Sequence, residues 1–94
     1  MTLDAVRNDI REIDERIIDL IAQRQRLAVR IARLKQENDL PIHDPAQRGA
    51  VLDRVSTYAV ESRIDPVAVR RIFEVLIGMS EDRQRGCSGD GNLP

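Results

Sequence analysis

The sequence predicts an all-α fold, three helices per chain with the first much longer than the other two. Three observations carry that expectation. Residues 3 to 36 contain neither glycine nor proline. Apolar residues recur along them at alternating three- and four-residue steps, the spacing of a helix that packs along its length. Two Asp-Pro pairs, Asp44-Pro45 and Asp65-Pro66, then announce two further helix starts. No segment alternates with the two-residue period of a strand, and no internal repeat is visible.

The first helix is expected from about residue 3 to about 37, with Thr2 as N-cap. Its seam is Leu3, Val6, Ile10, Ile13, Ile17, Leu20, Arg24, Leu27, Ile31 and Leu34, a heptad a/d pattern with one charged member. Asn38 and Pro41 end it, since proline cannot continue a helix and disfavours the α region in the residue before it. The second helix is expected over about 45–61: an acid at N-cap, Pro45 at N1 and Gln47 at N3 approach a capping box. Val51, Leu52, Val55, Tyr58 and Ala59 form its apolar face. The third is expected over about 66–84, with Val69, Ile72, Phe73, Leu76 and Ile77 inward. Residues 1–85 then form one domain, and 86–94, rich in glycine, form a flexible tail.

Composition narrows the function. Ninety-four residues make one small domain, which buries a modest core and benefits from a partner. One cysteine, Cys87, and one histidine, His43, provide neither a disulfide nor a zinc framework, so no metal and no cofactor are expected. A net charge of −1 and only two aromatic residues argue against nucleic acid. The N-terminal stretch has early acids and no apolar core, so it is not read as a signal peptide. No apolar run approaches a membrane span. A cytoplasmic, membrane-free protein is expected.

A helix of about 50 Å, at about 1.5 Å per residue, cannot be covered by two helices half its length. A second copy of the chain, long helix against long helix, can cover it. Charge indicates the direction. The first half of the helix carries six acids, and Leu20 to Gln36 carry Arg24, Arg26, Arg30, Arg33 and Lys35 with no acid. An antiparallel partner sets the acid-rich half against the basic half.

Arg24 is the residue that most needs an explanation, because a guanidinium at a heptad core position is costly without an anion. It either closes a buried salt bridge, or snorkels to water, or awaits an anionic ligand. Lys35 lies eleven residues on, about 20° round the helix and roughly 16 Å along it, so the two side chains could close on one ligand. Arg7 is roughly 25 Å from Arg24 in its own chain; an antiparallel partner would bring it near. Ser80 and Gln84 continue the inward stripe of the third helix, either as a frayed helix end or as hydrogen-bonding groups facing the same pocket. Such a pocket, cationic and without an obvious nucleophile or base, suits a small dicarboxylate held in a reactive shape.

Taken together, the ordered set Arg7, Arg24, Lys35, Pro41, Asp44, Ser80 and Gln84, spaced without a gap over residues 3 to 84, resembles the all-helical, type II class of chorismate mutases. The resemblance implies an intertwined six-helix homodimer with two shared sites. It implies an isomerase that rearranges chorismate to prephenate in phenylalanine and tyrosine biosynthesis, a branch of the shikimate pathway. It assigns Arg24, Lys35 and Gln84 as catalytic, with Lys35 and Gln84 at the ether oxygen. Arg7 from the partner, Asp44, Arg48 and Ser80 become substrate-binding. One departure stands out: where the family commonly has Arg-Glu, the glutamate meeting the substrate hydroxyl, this chain has Gln47-Arg48. Arg48 either donates to that hydroxyl or faces solvent. A shikimate-pathway partner enzyme that activates the mutase is also expected. The alternatives are an isochorismate pyruvate-lyase on the same scaffold and a non-catalytic helical dimerisation or regulatory module.

Overall fold

The structure, a computed structural model, describes residues 1–88. It consists of three helices: α1 (Leu3–Glu37), α2 (Pro45–Glu61) and α3 (Pro66–Ser88). No strand occurs among the described residues. The starts follow the capping expected from sequence. The Thr2 hydroxyl accepts from the Ala5 amide at 3.1 Å. Asp44 Oδ1 accepts from the Gln47 amide at 3.1 Å, and Asp65 Oδ1 from the Val67 amide at 2.9 Å.

The ends use a device that the sequence does not advertise. Past Asn38, Asp39 takes φ 54°, and the Leu40 amide donates to Lys35 O at 2.8 Å. Past Ser62, Arg63 takes φ 60°, and the Ile64 amide donates to Ala59 O at 2.9 Å. Both are Schellman closures, a motif that normally places glycine at the left-handed position. Neither position here is glycine. At the other end of the chain, α3 runs four residues past its expected stop at 84, through Gly86, so the helix takes in the start of the expected tail. The rest of that tail, 89–94, lies outside the described residues.

Helix α3 is the hub: it packs on both α1 and α2, which do not pack on each other. Arg24 of α1 reaches Leu76 and Ser80, and Lys35 reaches Gln84, so α1 and α3 run parallel and the α2–α3 pair is antiparallel. Between α2 and α3, Val51, Leu52 and Ile77 form a small core with Val55 and Phe73 against it. Two small side chains, Ala28 and Ala32, are the buried residues of α1. They let α1 approach α3 closely, on a face next to the apolar seam rather than on it.

The seam itself stays bare. Every residue from 1 to 20 is exposed, and all nine aliphatic seam residues are at least 36% exposed in the chain, whose greatest dimension is 54 Å. Two expected core residues are also exposed: Tyr58 at 69% and Ile72 at 57%. Both sit towards the α2–α3 turn, away from the end of α3 that meets Arg24 and Lys35.

Candidate active site

One cleft of about 470 Å³ opens where the C-terminal half of α1, the start of α2 and the end of α3 converge. Six of the seven residues singled out in the sequence line it: Arg24, Lys35, Asp44, Arg48, Ser80 and Gln84. Each helix contributes for a local reason. On α1, Arg24 and Lys35 flank the strip that faces α3 through Ala28 and Ala32. On α2, the Asp44 cap fixes the first turn, and Gln47 and Arg48 of that turn line the cleft. On α3, Ser80 and Gln84 lie one turn apart, continuing from Ile77.

The cations are held by neutral acceptors. Arg24 Nη1 donates to Leu76 O at 3.0 Å and to Ser80 Oγ, while Ser80 Oγ donates to Leu76 O at 3.1 Å. Lys35 Nζ donates to Ile42 O at 2.6 Å and Gln84 Oε1 at 2.9 Å. No carboxylate pairs with Arg24, Lys35 or Arg48 among the described residues. The salt bridge that could have explained Arg24 structurally is therefore not there. Burial lowers the Arg24 pKa from its ordinary value, and the positive charge of Arg54 lowers it further. A guanidinium keeps its proton at neutral pH, so the shift marks a half-buried positive charge with nothing opposite it. A guest carboxylate would remedy that.

Gln84 is 5% exposed, the sole buried polar residue among those described. It belongs to the continuous helix, which rules out a frayed end. Its Oε1 is taken by Lys35, which leaves the amide NH₂ as donor. Lys35 has used two of its three N–H bonds. Both groups can therefore still donate to something in the cleft.

Arg7 is not brought to this cleft within the chain. It lies on the exposed N-terminal half of α1. Glu81, which the sequence reading passed over, does line the cleft. Its Oε1 is 3.1 Å from His43 Nδ1 and its Oε2 is 3.4 Å from Arg85 Nη2. The signal was present: Glu81 is one helical turn past Ile77. His43 thereby ties the α1–α2 connection to α3. Among the described residues no group of His, Cys, Asp or Glu could hold a metal ion, and no helix is long and apolar enough to cross a membrane.

Comparison with known proteins decides the family. The family model for type II chorismate mutases matches residues 6–85. The chain belongs to the type II chorismate mutase family. A chorismate mutase of Methanocaldococcus jannaschii is 34% identical over 83 residues, 88% of this chain and 84% of the relative. A 4-amino-4-deoxychorismate mutase of Streptomyces venezuelae is 29% identical over 75 residues, 80% of this chain and 73% of the relative. The bifunctional chorismate mutase/prephenate dehydratase of Escherichia coli K12 is 29% identical over 73 residues, 78% of this chain but 19% of that protein. The match to this bifunctional enzyme thus covers about a fifth of its length, while that to the archaeal mutase covers most of both chains. Family membership makes the chain an isomerase of the chorismate mutase type, all-α in fold.

Proposed function

We propose that the chain converts chorismate to prephenate in a cleft shared between two subunits, and that Arg7 of one subunit completes the site of the other. The observation that carries this is the pair Arg24 and Lys35, half-buried in one cleft and bonded, among the described residues, only to neutral acceptors. Such a cleft favours a small dianion. Chorismate carries two carboxylates, an enol ether and a ring hydroxyl, and its rearrangement breaks one C–O bond as one C–C bond forms. No external acid, base or nucleophile is required. The protein has to hold the ring and side chain in the reactive conformer and stabilise the charge that gathers on the ether oxygen. The spare N–H groups of Lys35 and Gln84 suit that oxygen, because their bonds strengthen as negative charge develops. Arg24, with Ser80 beside it, suits a carboxylate.

The bare seam supports the shared site. In an antiparallel pairing, one register gives every seam position a partner. Leu3 meets the partner's Leu34, Val6 the partner's Ile31, and Ile10 the partner's Leu27. Ile13 meets the partner's Arg24, and Ile17 the partner's Leu20. Sliding by a heptad strands seam residues at both ends. In the full register Arg7 falls level with the partner's Ala28 and Ile31, between the partner's Arg24 and Lys35, on the same flank as the partner's Lys35. Asp9 then faces the partner's Arg30 across the other flank. Three cations from two chains thus surround one cleft, and a lone subunit has an incomplete site.

The same proposal places the enzyme in the cytoplasm and gives it a partner enzyme of the same pathway, since the bifunctional relatives carry a prephenate dehydratase on the mutase chain. Ultraviolet loss of chorismate with prephenate identified as product tests the activity. Pyruvate release from isochorismate would instead identify a lyase, and failure to bind a bicyclic dicarboxylate transition-state analogue would identify a non-catalytic module. Nothing in the cleft or among the relatives favours either of these.

A further inference from the structure

We propose that Arg48 sets substrate specificity, selecting a hydroxyl-bearing substrate and rejecting its amino-bearing counterpart. The proposal rests on the cleft being a chorismate-type site and concerns the substituent that the other cations do not engage.

The charges in the cleft are unevenly committed. Its two acids are already occupied by donors of the chain: Asp44 Oδ1 by the Gln47 amide, Glu81 by His43 and Arg85. Among the described residues no carboxylate pairs with its cations Arg24, Lys35 and Arg48. Arg24 and Lys35 on α1, with Ser80 and Gln84 on α3, engage two walls. The α2 wall is left to Gln47 and Arg48, and Arg48 is half-buried there. A guest whose carboxylates and ether oxygen face α1 and α3 turns its remaining ring substituent to this wall. A hydroxyl oxygen accepts from a guanidinium. A protonated amine meets it as like charge in a partly desolvated site, which disfavours binding strongly. Both substituents occur among relatives of this chain, one of which is a 4-amino-4-deoxychorismate mutase.

The test compares kcat/KM for chorismate and 4-amino-4-deoxychorismate at pH 7 in the wild type, Arg48→Glu and Arg48→Gln. The wild type is expected to prefer chorismate by roughly a hundredfold. Arg48→Glu should narrow that ratio at least tenfold, by improving the amino substrate in absolute terms as well, with Arg48→Gln between. A carboxylate near a helix N-terminus is compatible with α2, and circular dichroism checks the fold. If Arg48→Glu does not fold, Arg48→Gln decides alone, with a threefold narrowing expected. A ratio within twofold of the wild type in the folded variants, or a wild type that prefers the amine, overturns the proposal. Should the wild type convert neither compound, the proposed activity fails. Calorimetric affinities for the two compounds then decide the role of Arg48 by the same ratios.

Discussion

Replacing Ile17 by alanine separates the fold of the chain from its assembly, and the expected size of the effect can be worked from exposure alone. Ile17 lies in the exposed N-terminal stretch of α1, and 49% of its surface is open. Burying a whole isoleucine side chain stabilises by roughly 1.5–3 kcal/mol, so covering the open half contributes about 1 kcal/mol. The antiparallel register brings both copies of Ile17 beside the dyad, against the partner's Leu20. The dimer therefore loses about 2 kcal/mol, roughly thirtyfold in Kd. Alanine is the stronger helix former, so α1 itself is not weakened. Sedimentation across a dilution series, with specific activity measured on the same samples, reads both quantities. Activity should fall on dilution together with the dimer fraction, at about thirtyfold higher concentration in the variant, and recover fully when concentrated. An unchanged Kd, or a monomer that retains its rate, would refute the seam-to-seam pairing and with it the shared site.

Three further outcomes are expected. Arg24→Ala should lower kcat/KM at least a hundredfold in the ultraviolet assay, at a thermal midpoint no lower than the wild type, because the lost charge was desolvated and unpaired. Arg7→Ala and Lys35→Ala chains, each inactive alone, should regain activity when mixed under conditions of proven subunit exchange, since one hybrid cleft in a mixed dimer has all its cations. Arg63→Gly should raise the thermal midpoint by several degrees with no change in rate, because relieving a left-handed non-glycine residue stabilises by about 1 kcal/mol; differential scanning calorimetry measures it.

The fold was legible where local chemistry dictates it. Helix starts rest on caps that the sequence spells out at Thr2, Asp44 and Asp65. Helix ends were harder, because the Schellman closures at Asp39 and Arg63 use residues that do not signal a left-handed turn. The end of α3 was misplaced for the opposite reason: Gly86 reads as a stop, yet the helix passes through it. Tyr58 and Ile72 sit on apolar stripes as regular as those of Leu52 and Ile77. Periodicity shows that a face is apolar without showing whether this chain or a second one will cover it.

The same limit explains what could be read of the site. Arg24 stood out because a charge interrupted a stripe, and Ser80 and Gln84 because polarity continued one. Arg7 interrupts nothing, and its assignment depended on a partner. Glu81 escaped notice because an acid on a mostly polar helix end is unremarked until His43 of the α1–α2 connection meets it. The face of α1 that packs on α3, through Ala28 and Ala32, was also hidden. It follows the same three- and four-residue steps as the seam beside it, displaced by one strip around the helix. One helix thus carries two packing faces of equal period: small residues against α3, and large aliphatics left for another surface. Arg24 lies on the large-residue stripe with its guanidinium turned to the α3 side, where the two faces meet. A cation at that border can be half-buried by its own chain and still confront whatever the second surface supplies, which is the position a shared site requires.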